Sequence, residues 1–192
     1  TNEWSALTST FFTLDTIPAD DTNLVISEIH YRPADPTSAE ELAVSSDRDD
    51  YEFIELLNTS AGTIDLSGIS FAAGIDFHFA QNTIIEGGGR IVMVRNLAAF
   101  TARYGDLPAG TIAGEYSGRL SNDGEKILLR KTGDVVIQDF AYNDQAPWPE
   151  RADGEGYSLI FTGTDATMGS SWSDHAFIGG APGQPDTPLV AG

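Results

Sequence analysis

Carboxylates are the groups in this sequence with the greatest capacity for chemistry. The chain of 192 residues holds 29 aspartates and glutamates, against 10 lysines and arginines and three histidines. Two carboxylates can hydrolyse a glycoside when burial raises the pKa of one of them. Glu52 and Glu55 flank an apolar strand pattern, but side chains three positions apart on a strand point to opposite faces. A carboxylate-based hydrolase is therefore an alternative function that needs groups from other strands.

Calcium binding is the second chemistry that these carboxylates suggest, because Ca²⁺ takes six to eight oxygen ligands. The candidate ligands fall in two acidic groups, which are Asp47, Asp49 and Asp50, and Asp139 and Asp144 with Asp153 further along. Residues 47–52 do not form an EF-hand, since the fifth position carries no acid or amide and the sixth no glycine. The sequence predicts no required cofactor. Calcium is the candidate ion, in a calcium-dependent carbohydrate-binding or protein-binding domain.

Motifs of other catalytic classes do not occur in the sequence. It contains no Gly-x-Ser-x-Gly, Ser-x-x-Lys, Gly-x-x-x-x-Gly-Lys or His-Glu-x-x-His. It also lacks cysteine, which excludes thiol nucleophiles and thiolate zinc sites. His30, His78 and His175 are far apart in the sequence, and we expect each to have a surface or structural role. The glycines at 87–89 precede a strand pattern, which predicts a hairpin turn rather than a phosphate cradle.

The charge balance restricts the partners of this protein. A formal net charge of −19 repels phosphate backbones and anionic lipid headgroups. We therefore expect no nucleic-acid partner, and the sequence has no long apolar run that would predict membrane insertion. The expected partners are neighbouring modules of the same polypeptide, another protein or a glycan.

Strand patterns dominate the elements that would position these groups. Apolar and polar side chains alternate at residues 75–79, as in a half-buried strand. Similar β-branched and aromatic runs occur at 24–29, 53–57, 69–71, 90–94, 127–129, 135–140 and 157–161. One short helix is predicted over residues 97–104, with Asn96 as N-cap and Gly105 after its end. The spacing of the strands predicts an all-β sandwich with one short helix.

The order of several motifs resembles the lamin tail domain family. The motifs are LVISEIHYRP at 24–33, YEFIELLN at 51–58, DLSG at 65–68, GIDFHF at 74–79, LSNDGE at 120–125, FAYND at 140–144 and ADGEGYSL at 152–159. The resemblance implies an immunoglobulin-like β-sandwich over residues 23–185. It also implies a non-catalytic role beside other modules of large secreted or surface proteins of bacteria. The acidic surface argues against DNA binding of the kind attributed to animal lamin tails.

The residues that would fill this sandwich are mostly strand residues. The predicted core consists of Phe53, Ile54, Leu56, Phe77, Phe79, Val92, Val94, Leu128, Ile137, Phe140 and Leu159. Trp148 lies between two prolines, and we expect it to pack at a corner. The alternative for Trp148 is an exposed platform that stacks on a sugar or peptide.

The chain divides into three predicted parts. Residues 1–22, with a strand-like stretch at 9–14, form a linker or the closing strand of a preceding module. Residues 23–185 form the lamin-tail-like β-sandwich, in which 34–50 is a long surface insertion, and residues 186–192 form a C-terminal exit arm. The predicted function is a non-catalytic binding or architectural module of a larger secreted or cell-surface bacterial protein, with an extracellular location.

Overall fold

A computed structural model of the chain describes residues 16–190. The strands in them are β1 (Thr16–Ile17), β2 (Leu24–His30), β3 (Phe53–Asn58), β4 (Thr63–Asp65), β5 (Ile69–Ala73), β6 (Phe77–His78), β7 (Ile84–Ile85), β8 (Arg90–Val94), β9 (Ile112–Glu115), β10 (Glu125–Lys131), β11 (Val135–Tyr142), β12 (Leu159–Phe161) and β13 (Trp172–Asp174). The helices are α1 (Ala39–Val44) and α2 (Leu97–Tyr104), with 3₁₀ helices at Arg48–Tyr51 and Gly169–Ser171. The predicted all-β class is confirmed, whereas the strand-like stretch at 9–14 lies outside the described residues.

The strands form three sheets. The six-stranded sheet has the order β13-β12-β2-β3-β8-β9, the four-stranded sheet β11-β10-β5-β6, and the three-stranded sheet β1-β4-β7. Neighbouring strands are antiparallel except for two parallel pairs, β1 with β4 and β8 with β9. Strands β2 and β3 therefore lie in the middle of the largest sheet, where both of their faces can be covered.

The main core lies between the six-stranded and the four-stranded sheets. Ile26, Leu56 and Ile91 are among the side chains that the large sheet contributes to it. Leu128, which the sequence analysis placed in the core, is only half-buried, and Ile127 and Leu129 are buried instead. A shift of one residue along a strand moves a side chain to the opposite face, so the alternation was read out of phase there.

Trp148 packs at a corner of this core, as predicted. Its side chain is buried, and its ring centroid lies 5.7 Å from that of Trp172. Trp172 in turn lies 5.4 Å from the ring of Phe140. The alternative of an exposed stacking platform is therefore wrong.

A second and smaller apolar cluster lies on the outer face of the six-stranded sheet, under α2. Phe53, Val92, Val94 and Phe100 are its buried members. The Phe53 ring meets Phe100 and Tyr104 edge-on, with centroid distances of 5.9 and 5.7 Å. Phe53, Val92 and Val94, which were predicted to share one core with the other strand residues, thus lie on the opposite face of the sheet from that core. Because β3 is covered on both faces, it has apolar residues on both, Phe53 on the outer face and Ile54 and Leu56 on the inner face.

Helix α2 has the bounds that the sequence predicts. The Asn96 side chain accepts a hydrogen bond from the backbone N–H of Ala99, and Gly105 ends the helix with φ 73°. A positive φ favours glycine, so both end signals act as expected. In residues 16–190 no helix combines the length and the apolarity that crossing a bilayer requires.

The insertion at residues 34–50 is more regular than the sequence analysis expected, because it contains α1. Ser38 and Glu41 form a capping box, in which the side chain of each accepts a hydrogen bond from the backbone N–H of the other. Arg103 of α2 donates to the Glu41 carboxylate at 2.5 Å. The spacing Ser-x-x-Glu was the available signal, and it was missed.

The triple glycine at 87–89 is a turn but not a hairpin. It connects β7 of the three-stranded sheet to β8 of the six-stranded sheet. Gly88 has φ 71°, and its N–H donates to the carbonyls of Asn58 and Ser60. The prediction of a hairpin was wrong, while the exclusion of a helix after the glycines is confirmed, since a strand follows them.

Residues 175–188, here called the C-terminal strap, cross the outer face of the six-stranded sheet. The N–H of Gly183 donates to Glu55 of β3 at 2.7 Å. Arg90 of β8 pairs with Asp186 at 2.7 Å. The described part of the predicted exit arm thus starts on the sheet, and the domain boundary at residue 185 stays a prediction.

Candidate functional site

Polar side chains are buried between the outer face of the six-stranded sheet and the C-terminal strap. The fully buried members are Glu28, His30, Glu55, Ser158 and His175. The pairing of β2 with β3 is irregular between Ile26 and Glu28, and beyond it Glu28 lies opposite Glu55. A bulge of this kind re-aims side chains, which is how one strand brings Ser27 and Glu28 to the same polar cluster.

Glu55 uses both of its carboxylate oxygens. Oε1 accepts from the Ser27 hydroxyl at 2.6 Å and lies 3.1 Å from Arg90 Nε, and Oε2 accepts from the Gly183 N–H at 2.7 Å. Burial raises the pKa of Glu55 to about 7, although the hydrogen bonds from Ser27 and Gly183 oppose this rise. Glu55 therefore joins β2, β3, β8 and the strap.

Glu28 uses one of its two carboxyl oxygens. Oε1 accepts hydrogen bonds from the Ser158 hydroxyl and from the N–H of Ala181, while Oε2 is buried without a partner. Burial, and after it the charge of Glu55, raises the pKa of Glu28 well above its ordinary value. A buried carboxyl that lacks donors favours its protonated form, so the fold shifts Glu28 toward its neutral form.

His30 is held from both sides of its ring. Nε2 lies 3.2 Å from the carbonyl oxygen of Gly156 and Nδ1 lies 3.2 Å from the hydroxyl of Tyr104. A carbonyl only accepts, so Nε2 carries the proton that Gly156 accepts, while the Tyr104 hydroxyl beside Nδ1 donates its own proton to the carbonyl of Gly179 at 2.9 Å. Burial lowers the pKa of His30 to about 3. His30 is thus a neutral structural group, as the sequence analysis expected.

Glu28, His175 and Asp186 come close enough together to test as a metal site. One potential ligand atom from each lies within 4.8 Å of the other two. However, the N–H of Phe177 donates to His175 Nδ1 at 3.0 Å, and burial lowers the pKa of His175. The N–H of Thr187 faces the other ring nitrogen, Nε2, at 3.4 Å. Backbone donors thus occupy both ring nitrogens, and in this arrangement His175 has no free lone pair for a metal, so this donor set does not fit one.

The first predicted calcium group, Asp47, Asp49 and Asp50, lies in and before the 3₁₀ helix at Arg48–Tyr51. Asp47 accepts from the backbone N–H of Asp49. The Asp49 carboxylate lies 3.3 Å from Arg119 and 3.6 Å from Arg95, and Asp50 lies 3.7 Å from Arg95. Two arginines thus already neutralise part of the charge that a cation would neutralise.

The second predicted calcium group is dispersed among other partners. Asp139 pairs with Lys126 at 2.9 Å, and Asp144 accepts from the side-chain amide of Gln145 at 2.7 Å. Asp153 pairs with Arg32. Within residues 16–190, none of the predicted aspartates belongs to the group that meets the metal-ligand distance. Calcium binding by these residues stays a prediction.

Glu52 lies in a different environment from Glu55. Its Oε2 accepts from the Tyr116 hydroxyl at 3.0 Å and from the N–H of Leu120 at 2.9 Å. Burial raises the pKa of Glu52 to about 8, and these two hydrogen bonds oppose the rise. The two glutamates named by the sequence analysis therefore do not act on one site.

The strap leaves one part of the outer face open. There the surface forms a cavity of about 710 Å³, here called the outer-face groove. Val25 and Leu57, which are partners in the pairing of β2 with β3, contribute apolar surface to it, as does Ile160 of β12. Its remaining lining includes hydroxyl and carboxylate side chains, those of Asp21, Thr22, Thr59, Thr162, Thr164 and Asp186.

The groups that dominate this face were not predicted from the sequence. Glu28 was visible as a lone acid within the apolar run LVISEIH, and an acid in a strand that is buried on both faces must be paired. Arg90 and Asp186 lie 96 positions apart, so no local pattern joins them.

Comparison with known protein families gives a match. A family model described as Lamin Tail Domain matches residues 18–144, which is more than half of the chain. No curated protein and no solved structure matches it. The matched stretch includes β2, β3 and β8, whereas β12, β13 and the strap lie beyond it.

Proposed function

The chain belongs to the lamin tail domain family, and on this premise we propose that it is a non-catalytic binding or architectural module of a larger secreted or cell-surface bacterial protein. The fold of the family is an immunoglobulin-like β-sandwich. A sandwich of this kind can bind ligands on its loops and on its sheet faces. The same fold serves many functions, so the residues of the site indicate which function applies.

The observation that supports the proposal is that the acid–base groups are buried away from solvent. Glu28, Glu55, His30 and His175 have no solvent-exposed surface. A general acid or base must come within hydrogen-bond reach of the substrate. Groups that are covered by the strap and engaged with each other support a structural role.

The hydrolase alternative draws its support from the same face. Glu28 and Glu55 lie opposite each other on adjacent strands, and two carboxyl groups at short distance are the catalytic pair of retaining glycosidases. However, Glu55 is committed to Ser27, Arg90 and Gly183. No cleft leads a sugar ring to the pair in the described part of the chain, since both glutamates are fully buried.

The test of the non-catalytic role is an activity panel with the purified chain. Polysaccharide, ester, peptide and phosphodiester substrates are assayed with the wild type and with Glu55→Gln. The proposal expects no turnover above buffer with either protein. Turnover by the wild type that Glu55→Gln abolishes, while the variant keeps its fold by circular dichroism, would establish the hydrolase instead.

A binding role and a purely architectural role differ in a direct observable. A binding module gives reproducible hits on glycan or protein arrays, whereas an architectural module does not. Location outside the cell is tested with an antibody on culture supernatant, surface and cytosolic fractions of the source bacterium. Signal confined to the cytosol would contradict the secreted setting.

A further inference from the structure

The outer-face groove has the size and the apolar surface of a binding site. Its volume of about 710 Å³ falls within the range of roughly 300–1,000 Å³ for ligand sites. Val25 and Leu57 are half-buried, so their side chains are partly accessible. An apolar strip of this kind suits the aliphatic stem of a long side chain, which keeps its charged head at the rim.

The charge of the groove is negative. Asp21 is exposed at it, and Asp186 has a buried oxygen, Oδ1, without a hydrogen-bond partner. Arg90 is the one basic side chain among the lining residues, and it is already paired with Glu55 and Asp186. Asp186 is held by the same Arg90 at 2.7 Å, so the groove offers a cation the exposed carboxylate of Asp21 and has no free cation for an anion.

The negative charge of the groove excludes several candidates for the molecule that occupies it. The segments 1–15 and 191–192 of the chain contain no lysine or arginine, so neither supplies a cation to the groove. A second copy of the chain would bring another formal charge of −19, and nucleic acids or anionic lipids would meet the same repulsion. A positively charged segment of a different protein fits best.

The strap indicates how such a segment would lie. It crosses the same sheet face and donates its Gly183 N–H to Glu55. Asp186 and Pro188 of the strap are among the residues that line the groove. A second extended segment placed in the groove would lie beside the strap and continue the cover of the face.

We propose that the outer-face groove binds an extended segment of a partner protein through a lysine or arginine side chain, whose stem packs on Val25 and Leu57 and whose head reaches the exposed Asp21 at the rim. This inference rests on the proposed binding role and gives it a site and a ligand class. Electrostatic complementarity of this kind acts mainly on specificity and association rate.

The test is a nuclear magnetic resonance titration of the ¹⁵N-labelled chain. The probe is the peptide acetyl-Ala-Lys-Val-Lys-Ala-amide, and the comparison peptide has glutamine in place of both lysines. We expect saturable shifts at the amides of Val25, Leu57 and Thr59, and at least about tenfold weaker binding of the glutamine peptide, which corresponds to about 1.4 kcal/mol.

Two variants with the same change of charge separate the groove from the general field of the protein. Asp21→Lys alters the groove, whereas Asp106→Lys alters an exposed site outside its lining. We expect Asp21→Lys to weaken the lysine peptide by about tenfold or more and Asp106→Lys by less than about twofold. Thermal melts check that both variants fold.

Three results would overturn the inference: no saturable shift in the groove, equal binding of both peptides, or equal loss in both variants. Any of them, together with a blank activity panel, leaves the non-catalytic module standing and removes only the groove as its site. Turnover in that panel would instead remove the proposed function, whatever the peptide does.

Discussion

Glu28 of β2 lies directly opposite Glu55 of β3, and both carboxyl groups are fully buried on the outer face of the six-stranded sheet. Like charges opposite each other on adjacent strands destabilise a sheet. Burial raises the pKa of both groups, that of Glu55 to about 7. We therefore expect the pair to keep at least one proton at neutral pH. The contacts that hold the strap on this face should weaken when the pH rises far enough to remove that proton.

The two glutamates should respond differently to substitution by glutamine. Glu28→Gln removes a carboxyl that the fold holds toward its protonated form and that the unfolded chain ionises at its ordinary pKa, and its amide can replace Oε2, which has no partner. In Glu55→Gln the side-chain NH₂ group replaces one carboxylate oxygen. It then faces a hydrogen-bond donor, because both oxygens of Glu55 accept hydrogen bonds. At pH 8 we expect the first change to raise the free energy of unfolding by roughly 1–2 kcal/mol and the second to lower it by roughly 1–3 kcal/mol.

Urea denaturation of both variants beside the wild type measures this difference. The far-UV spectrum provides the control for an unchanged fold. Shifts of the same sign in the two variants would show that the hydrogen bonds of Glu55 do not distinguish it from Glu28.

Glu52 gives the clearest pH dependence. Its pKa is about 8 in the folded chain against an ordinary value of 4.5. The folded state therefore binds the extra proton between these two values, and the stability that depends on Glu52 falls as the pH rises from about 4.5 to 8. Glu52→Gln should remove this loss, since the amide oxygen still accepts from Tyr116 and Leu120.

Unfolding free energies of the wild type and Glu52→Gln at pH 5 and at pH 8.5 test this dependence. The advantage of the variant should grow by roughly 2–4 kcal/mol between the two values. An advantage that stays constant with pH would mean that Glu52 keeps its charge in the fold.

Much of the fold could be predicted because its signals are local. Helix α2 has a capping residue at each end, and the turn between β10 and β11 contains Gly133, whose φ is 84°. Strand alternation sends Phe53 and Ile54 to opposite faces, but that both faces are covered could not be predicted, since it depends on what packs there. The covering elements, α2 and the strap, come from distant parts of the chain.

The site was less predictable than the fold for the same reason. The sequence drew attention to the acidic residues around Asp49 and Asp139. The buried Glu28 and the half-buried Asp186 are single acids in unrelated segments. Only the packing of the strap on β2, β3 and β8 brings them together.

Gly180 tests how tightly the strap fits. It has φ 74°, and a Cβ there would lie 1.9 Å from Glu28 Oε1 and 2.7 Å from the Ser158 hydroxyl oxygen. Gly133 is the matched control, with φ 84° and nothing within 4 Å of a Cβ. We expect Gly133→Ala to cost only the backbone strain of about 1–2 kcal/mol, and Gly180→Ala to cost roughly 2 kcal/mol more because of the collision.

Chemical denaturation of the two alanine variants gives both values. Equal losses would mean that the strap moves away from Glu28 without cost. The contact between the strap and the sheet would then contribute little to the free energy of unfolding.

Phe100 tests the cover that α2 provides. It is fully buried against Phe53, whereas Leu97 on the same helix is 42% exposed. Phe100→Ala should cost roughly 3–5 kcal/mol, as expected for a large cavity, and Leu97→Ala less than about 1 kcal/mol. Thermal melts of the two variants measure the difference, and similar small losses would show that α2 is only loosely attached to the sheet.

Native-state hydrogen exchange of the strap tests the central claim most directly, namely that the acid–base groups are closed parts of the fold. The amides of Ala181 and Gly183 donate to Glu28 and Glu55, so their opening reports the exposure of these carboxyl groups. The account predicts opening free energies within about 1 kcal/mol of those of the β3 amides, as for one cooperative unit. Opening of the strap at less than about 2 kcal/mol, while β3 stays protected, would contradict it.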